Sequence, residues 1–178
     1  IAFVSGDREI WLMNADGQAA RKLLDLGKDY WVPMRSFVEW SPDGQQIAFL
    51  KRRREPEETT LQIRGINSGQ TTELLTRRVL RSFCWTYDWH IVYAQAELAP
   101  DEASDSLWEI GVDPRTRQPS NPRRLTNDIG FSVWDLSVTA GGKQLAYVWQ
   151  RQQSDVYWGE LEGNGTRLKN RARLTLDE

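Results

Sequence analysis

Few side chains in this sequence are arranged for catalysis. A Ser/His/Asp triad requires a nucleophile, usually on a Gly-x-Ser-x-Gly turn, and an imidazole base. The nearest string, residues 130–134, reads Gly-Phe-Ser-Val-Trp and lacks the second glycine, and the only histidine is His90. Carboxylates that could act as an acid and base pair are expected in solvated loops: Glu57, Glu58, Asp101, Glu102 and Asp105. The sequence therefore predicts a protein that is not an enzyme.

The sequence also lacks the residue patterns that bind cofactors and metals. Neither Gly-x-x-x-x-Gly-Lys-Ser/Thr nor Gly-x-Gly-x-x-Gly occurs, so no phosphate-cradling loop is expected. Cys84 is the single cysteine, which excludes a disulfide within the chain, and with one histidine it cannot form a zinc cluster. We predict no cofactor and no metal.

A basic run at residues 51–54 is the strongest candidate for partner binding. It contains Arg52, Arg53 and Arg54 and is followed by acidic side chains at 55, 57 and 58 that partly neutralise it. Two interpretations stay open, a solvated loop and a site for an acidic protein partner. Nucleic acid is disfavoured because the chain carries a net charge of −2 and has a pI near 5.6.

The composition is that of one soluble, folded domain. Of 178 residues, 39 % are hydrophobic and 27 % are charged. The clearest apolar runs are four residues long, at 47–50 and 91–94, whereas a membrane-spanning helix needs roughly 20. No membrane contact is expected from this segment, and a single cysteine is compatible with cytoplasm or periplasm.

The chain contains four copies of one pattern. An apolar segment with a central aromatic recurs at spacings of 46, 44 and 54 residues, centred on Phe3, Phe49, Tyr93 and Tyr147. A leucine in a polar segment follows each copy at spacings of 51, 51 and 49 residues, as Leu23, Leu74, Leu125 and Leu174. Two independent markers that keep one period indicate a repeat architecture.

Each repeat predicts four short strands, except that the first lacks its inner strand. A propeller blade takes about 40 to 45 residues, close to a quarter of this chain. We therefore predict an all-β fold, a β-propeller of about four four-stranded blades with fifteen strands in total. The expected blades are 1–30, 36–78, 80–127 and 131–178, in a partial propeller or in part of an oligomeric ring.

Aromatic residues should fill the gaps between radiating blades. The predicted core residues are Phe3, Trp40, Phe49, Trp85, Tyr93 and Tyr147. Three other tryptophans, Trp31, Trp89 and Trp158, have no equivalents in the remaining repeats. They are expected at the surface or at an interface, and they join the arginines as candidate partner-binding residues.

The repeat resembles the TolB-type, WD-repeat-like β-propeller repeat. The resemblance is fullest at residues 41–49, Ser-Pro-Asp-Gly-Gln-Gln-Ile-Ala-Phe, and at residues 9–17, Glu-Ile-Trp-Leu-Met-Asn-Ala-Asp-Gly. It covers nearly the whole chain and implies the fold. Such repeats serve as protein-binding domains, periplasmic components, entrance domains of prolyl-oligopeptidase-type peptidases and C-terminal parts of bacterial kinase-like or regulator proteins. Residues 121–126 and 173–175 look most like the last group.

Three functions remain open. The first, which we predict, is a non-enzymatic protein-binding, scaffold or sensor module that forms a segment of a larger bacterial signalling protein. The second is an accessory propeller that gates a peptidase, and the third is a natural or engineered fragment whose main property is self-assembly. The expected partner is accordingly a protein, a peptide or other copies of the chain.

Overall fold

A computed structural model of the chain describes residues 1–33, 38–97, 104–127, 131–151 and 155–175. Within these ranges the chain forms sixteen strands, all paired antiparallel, and no helix. The all-β prediction is confirmed. Fifteen strands lie in segments that the repeat pattern predicts, and the additional one is β4 (Tyr30–Trp31). A helix long and apolar enough to span a membrane is not found among the described residues.

The first two blades differ in their inner strands. Blade 1 contains β1 (Ala2–Ser5), β2 (Glu9–Leu12) and β3 (Arg21–Asp25), in that order across the sheet. Blade 2 contains β4, β5 (Glu39–Trp40), β6 (Gln46–Arg53), β7 (Glu58–Gly65) and β8 (Thr71–Arg77). Both β4 and β5 pair with β6, β4 near its end and β5 near its start. Residue 37, predicted as part of this inner strand, lies outside the described residues.

The third blade is a regular four-stranded sheet. It consists of β9 (Leu80–Trp85), β10 (His90–Ala96), β11 (Asp105–Gly111) and β12 (Arg123–Arg124), each paired with the next.

The fourth repeat contains its four predicted strands in a different arrangement. They are β13 (Ser132–Val138), β14 (Leu145–Gln150), β15 (Tyr157–Glu162) and β16 (Arg167–Arg173). They form two separate two-stranded sheets, β13–β14 and β15–β16. Strand β15 is exposed over most of its length. Its sequence fits this exposure, because Gly159 interrupts the strand and glutamates flank Leu161.

The Ser-Pro-Asp-Gly turn at residues 41–44 shows how the sequence defines the entry to β6. The Ser41 hydroxyl donates to Asp43 Oδ1 at 2.7 Å and accepts from the backbone N–H of Gln46 at 3.0 Å. Gly44 then adopts a φ of 66°, a conformation that a residue without Cβ reaches at little cost. The turn therefore directs the chain into β6.

Three apolar clusters lie between successive blades. Blades 1 and 2 share the cluster of Ile10, Ile47 and Phe49, and blades 3 and 4 share a cluster that includes Cys84 and Val133. The largest lies between blades 2 and 3: Ala48, Leu50, Leu61, Ile63, Leu74, Leu75, Leu80, Phe83, Trp85, Ile91, Tyr93, Ile110 and Val112. Burial on both faces of the middle strands is the pattern expected of stacked blades.

The predicted core residues divide into two groups. Phe49, Trp85 and Tyr93 are buried. Phe3 is half-buried opposite Trp11, on the strand pair β1–β2. For Trp40 and Tyr147 the core prediction is wrong in this structure, because they are 37 % and 40 % exposed.

The exposure of Trp40 and Tyr147 contrasts with the burial of their equivalents in blade 3. Trp85 belongs to the cluster between blades 2 and 3, whereas its equivalent Trp40 is not a member of the cluster that the described residues form between blades 1 and 2. Tyr147 is the equivalent of Tyr93, which is covered by neighbours on both sides of its strand. In the described part of the fourth repeat, β14 pairs with β13 on one side.

A buried carboxylate connects the third and fourth blades. Asp105 was expected in a solvated loop, but it begins β11 and its side chain is 0 % exposed. It accepts a hydrogen bond from Arg81 Nε at 2.8 Å and one from the backbone N–H of Val133 at 2.7 Å. The Arg81 guanidinium also lies 5.2 Å from the Trp134 ring centroid. Burial raises the pKa of Asp105, against the opposing effect of Arg81.

Candidate binding site at the rim of blade 2

The predicted arginine run and one predicted tryptophan meet at one edge of blade 2. Strand β4 pairs with the end of β6 so that Tyr30 lies opposite Arg53 and Trp31 lies opposite Arg52. The aromatic pair is followed by Val32, which is buried, and by Pro33, which cannot donate to a ladder. This short strand therefore carries two rings alongside the basic run.

A cationic side chain from the β6 side lies over each aromatic ring of β4. Lys51 Nζ lies 4.7 Å from the Tyr30 ring centroid, and Arg54 Cζ lies 5.3 Å from that of Trp31. A cation within about 6 Å of a ring face is attracted by the ring quadrupole, with a stabilisation of about 0.5–1 kcal/mol at exposed sites. The contacts hold the Arg54 guanidinium over the indole.

The charges of the run are not equally available. Arg52 is ion-paired with Glu57, and Lys51 is 3.2 Å from a carboxylate oxygen of Glu73. Among the described residues, neither Arg53 nor Arg54 forms an ion pair, and both are exposed. These two arginines therefore retain cationic groups directed to solvent.

A cleft of about 370 Å³ lies between the basic run and the segment before β4. Its lining consists of Lys28, Asp29, Trp31, Arg53, Arg54 and Glu55. We refer to this as the rim cleft. Three cations and two carboxylates give the lining one net positive charge, beside an aromatic face. Arginine can bind carboxylate or phosphate through two parallel hydrogen bonds, so the rim cleft is suited to an anionic group attached to an apolar one.

Trp89 and Trp158 do not line the rim cleft. Trp89 lies in the turn before β10 with a φ of 65°, and its ring meets Trp85 edge to face at a centroid distance of 5.8 Å. It borders a different cavity, of about 560 Å³, together with His90 and the 111–120 segment. Trp158 is on β15 and is 45 % exposed. The six candidate residues therefore do not form one surface.

A third cavity lies where the inner strands of three blades approach one another, and the sequence did not indicate it. Its volume is about 310 Å³, and its lining includes Glu39 of β5, Cys84 of β9 and Asp135 of β13. Burial raises the pKa of Glu39. Burial, together with the Glu39 carboxylate, raises the pKa of the Cys84 thiol to about 12.

Cys84 therefore remains a protonated thiol near neutral pH, and a thiol in this form is a poor nucleophile and a poor metal ligand. In the part of the chain that the structure describes, no three His, Cys, Asp or Glu side chains are grouped as a metal site. Spacing in sequence gave no signal for this cavity, because Glu39, Cys84 and Asp135 are 45 and 51 positions apart.

Comparison with solved structures identifies the class of fold. The chain superposes on an oligogalacturonate lyase solved with manganese, with a TM-score of 0.64, 15 % identity, and coverage of 98 % of this chain and 49 % of the lyase. TolB from Acinetobacter baumannii gives a TM-score of 0.64 at 18 % identity, covering 98 % of this chain and 41 % of TolB.

A third likeness is to the β-propeller domain of the trilobed protease from Pyrococcus furiosus. Its TM-score is 0.51 at 13 % identity, with coverage of 96 % of this chain and 49 % of that chain. The present chain thus spans less than half the length of these three structures. No protein-family model matches the sequence, and no curated protein matches it significantly. The fold is that of a β-propeller, and the likeness to TolB-type propellers is a likeness of fold.

Proposed function

We propose that this propeller segment is a non-enzymatic protein-binding module, and that the rim cleft recognises an acidic segment of its partner. The observation that carries the proposal is the stacking of Arg54 on Trp31 beside Arg53, with neither guanidinium engaged by a carboxylate of the described chain. A partner carboxylate in this cleft would meet two guanidinium groups and an indole face.

The chemistry of the cleft supports binding and not turnover. Its titratable lining consists of arginine, lysine and two exposed carboxylates, with no cysteine and no imidazole. General acid or base catalysis near neutral pH requires a group whose pKa lies close to the working pH. Arginine remains protonated in proteins, so it serves to bind and orient an anion.

The lining of the rim cleft favours a charged peptide segment over an apolar small molecule. Small-molecule sites are lined mainly by hydrophobic side chains, whereas five of the six lining residues of this cleft are charged. Likeness to the protease propeller is one of fold, so it favours no peptidase role over a binding role.

The test is binding of a fluorescein-labelled ten-residue polyglutamate peptide, measured by fluorescence anisotropy at low and moderate salt. We expect binding that weakens as NaCl rises, because exposed charges are screened. The double variant Arg53→Glu/Arg54→Glu should bind at least about tenfold more weakly, since each lost charge-assisted hydrogen bond corresponds to about 1.5–3 kcal/mol.

A matched control is the double variant Arg21→Glu/Arg115→Glu, which changes charge equally at two exposed arginines outside the rim cleft. It should retain most of the affinity. Equal loss in both double variants would show that the peptide senses only overall charge, and would refute the assignment. Absence of polyglutamate binding by the unmodified chain at millimolar concentration would refute it as well.

A further inference from the structure

The turn before β10 holds a tryptophan in a backbone conformation that favours glycine. Trp89 has a φ of 65°, close to the 66° of Gly44 and Gly142 in the corresponding turns before β6 and β14. A side chain as large as an indole rarely adopts a left-handed φ, because its Cβ approaches the backbone too closely. The indole at this position is therefore explained by its contacts and not by the needs of the turn.

The Trp89 ring is half-buried and borders the cavity of about 560 Å³. Its centroid lies 5.8 Å from that of the buried Trp85 ring. The lining of the cavity includes Asp88, Trp89, His90, Asp113, Pro114 and Pro119. We refer to this as the Trp89 cavity. Its volume lies within the range of sites that bind small molecules.

The Trp89 cavity is acidic. Asp88 and Asp113 are its carboxylates, and its described lining contains no lysine and no arginine. A hydrogen bond from the Thr86 hydroxyl lowers the pKa of Asp88, and the backbone N–H groups of Thr116 and Arg115 lower the pKa of Asp113. Both carboxylates are therefore charged at neutral pH. Among the described residues, neither forms an ion pair with a lysine or an arginine.

Elsewhere in the chain, a tryptophan beside a carboxylate is joined by an arginine. In two sets one guanidinium lies 5.2 or 5.8 Å from the ring centroid and is also ion-paired with the carboxylate: Trp134–Arg81–Asp105 and Trp108–Arg124–Glu97. The described residues place no such cation over the Trp89 ring. The Trp89 cavity thus contains the ring and the carboxylates of the same set without the arginine.

We propose that the Trp89 cavity binds an arginine side chain supplied by a partner protein. Its guanidinium would lie over the Trp89 ring and donate hydrogen bonds to Asp88 and Asp113. A guanidinium is planar, donates in a fixed fork to carboxylates and stacks on aromatic rings, so it matches all three groups. This cavity lies on a different blade from the rim cleft and has the opposite charge, so the two proposals can fail separately.

The test is titration of the ¹³C,¹⁵N-labelled chain with Nα-acetyl-arginine amide, followed in two-dimensional spectra. One reporter is the indole N–H of Trp89, assigned by Trp89→Phe. The other is the imidazole C–H of His90, which needs no assignment because the chain has a single histidine. The pH is held at 8, because His90 Nδ1 lies 3.4 Å from Asp88 Oδ1 and a protonated imidazole would compete with the ligand.

We expect saturable shifts of both reporters with the arginine amide at tens of millimolar. Nα-acetyl-citrulline amide, which has a similar shape and no charge, should produce neither shift at the same concentrations. Equal shifts with the two compounds would show that charge is not recognised and would overturn the proposal. Absence of saturable shifts with the arginine amide would overturn it as well.

The carboxylates are tested by Asp88→Asn/Asp113→Asn. Each asparagine keeps an oxygen that can accept the hydrogen bonds of its turn, so the fold should be retained. Arginine binding should weaken about three- to tenfold, since each exposed charge pair contributes modestly. The matched control is Asp16→Asn/Asp43→Asn, which changes two exposed turn aspartates outside the cavity. Equal weakening in both double variants would overturn the proposal.

The ring is tested by Trp89→Gly, which suits the left-handed backbone at this position. This variant should lose the arginine-dependent shift of His90, and retention of that shift would overturn the proposal. The asparagine variants keep the proposal testable if Trp89→Gly does not fold.

A last variant, Arg115→Gln, tests occupation of the cavity by the chain's own arginine. Without ligand, its Trp89 signal should lie near that of the unmodified chain. A displacement as large as the one produced by saturating arginine amide would show that Arg115 already fills the cavity, and would overturn binding of a partner's arginine.

Discussion

Replacing Asp105 tests the connection between blades 3 and 4. Its carboxylate is fully buried and holds two partners from different parts of the chain, Arg81 Nε and the backbone N–H of Val133. Asp105→Ala removes both acceptors. Breaking a buried ion pair from one side destabilises proteins by about 3–5 kcal/mol, and a buried unpaired N–H alone costs about 1–3 kcal/mol.

We therefore expect Asp105→Ala to lower the free energy of unfolding by about 3–4 kcal/mol, because Arg81 is 21 % exposed and regains some hydration. Asp105→Asn keeps one carbonyl oxygen, which can still accept from one partner. Its loss should be smaller, about 1–3 kcal/mol.

The assay is urea unfolding monitored by tryptophan fluorescence and by far-ultraviolet circular dichroism. Coincident transitions from the two probes are required before a two-state free energy is derived. Glu58→Ala is the control, because this carboxylate is exposed at the start of β7 and should change stability by less than about 0.5 kcal/mol. A decrease of less than about 1 kcal/mol in the free energy of unfolding for Asp105→Ala would refute the role of this carboxylate in joining blades 3 and 4.

Three further results are expected. Relative to Asp105→Asn, the unmodified chain should gain stability in urea unfolding as pH falls from neutrality toward about 4. The pKa of Asp105 is raised by burial, so the folded state holds the proton more tightly than the unfolded state. An unchanged difference between the two proteins would contradict burial as the dominant cause of the raised pKa. Gly142→Ala should lose more stability than Gly44→Ala in thermal unfolding, since both glycines have a φ of 66° but only at Gly142 would a Cβ overlap the Tyr87 ring; equal losses would contradict that contact. Cys84 should resist iodoacetamide at pH 8 in the folded chain and react in urea, as followed by mass spectrometry, because its thiol is buried and its pKa is raised to about 12; rapid labelling of the folded chain would contradict this.

The strands were predictable because their signals are local and repeated. Each apolar segment around a central aromatic forms a strand, and those around Phe49 and Tyr93 are middle strands of their sheets. The Ser-Pro-Asp-Gly turn begins the strand that contains Phe49. Strand β4 was missed because it has only two residues and no equivalent in the other repeats. Trp40 and Tyr147 show the limit of equivalence between repeats, because burial depends on whether a neighbouring strand is present.

The candidate site was predicted in parts and not as a unit. The basic run and Trp31 were singled out for separate reasons, one for charge and the other for lacking an equivalent. Their contact depends on β4 pairing with the end of β6, which brings together Trp31 and Arg54 across 23 positions. No local sequence pattern in either segment predicts that β4 pairs with the end of β6. Trp89 and Trp158 satisfied the same sequence criterion but lie on other elements.

The most direct test of the central claim is the indole N–H signal of Trp31 in a two-dimensional ¹H–¹⁵N spectrum, assigned by Trp31→Phe and followed during titration with the polyglutamate peptide. If the rim cleft binds acidic segments, this signal should shift in a saturable, salt-sensitive way while the indole signals of Trp89 and Trp158 remain in place. A saturable shift at Trp89 or Trp158 with none at Trp31 would contradict the assignment of the rim cleft as the recognition surface.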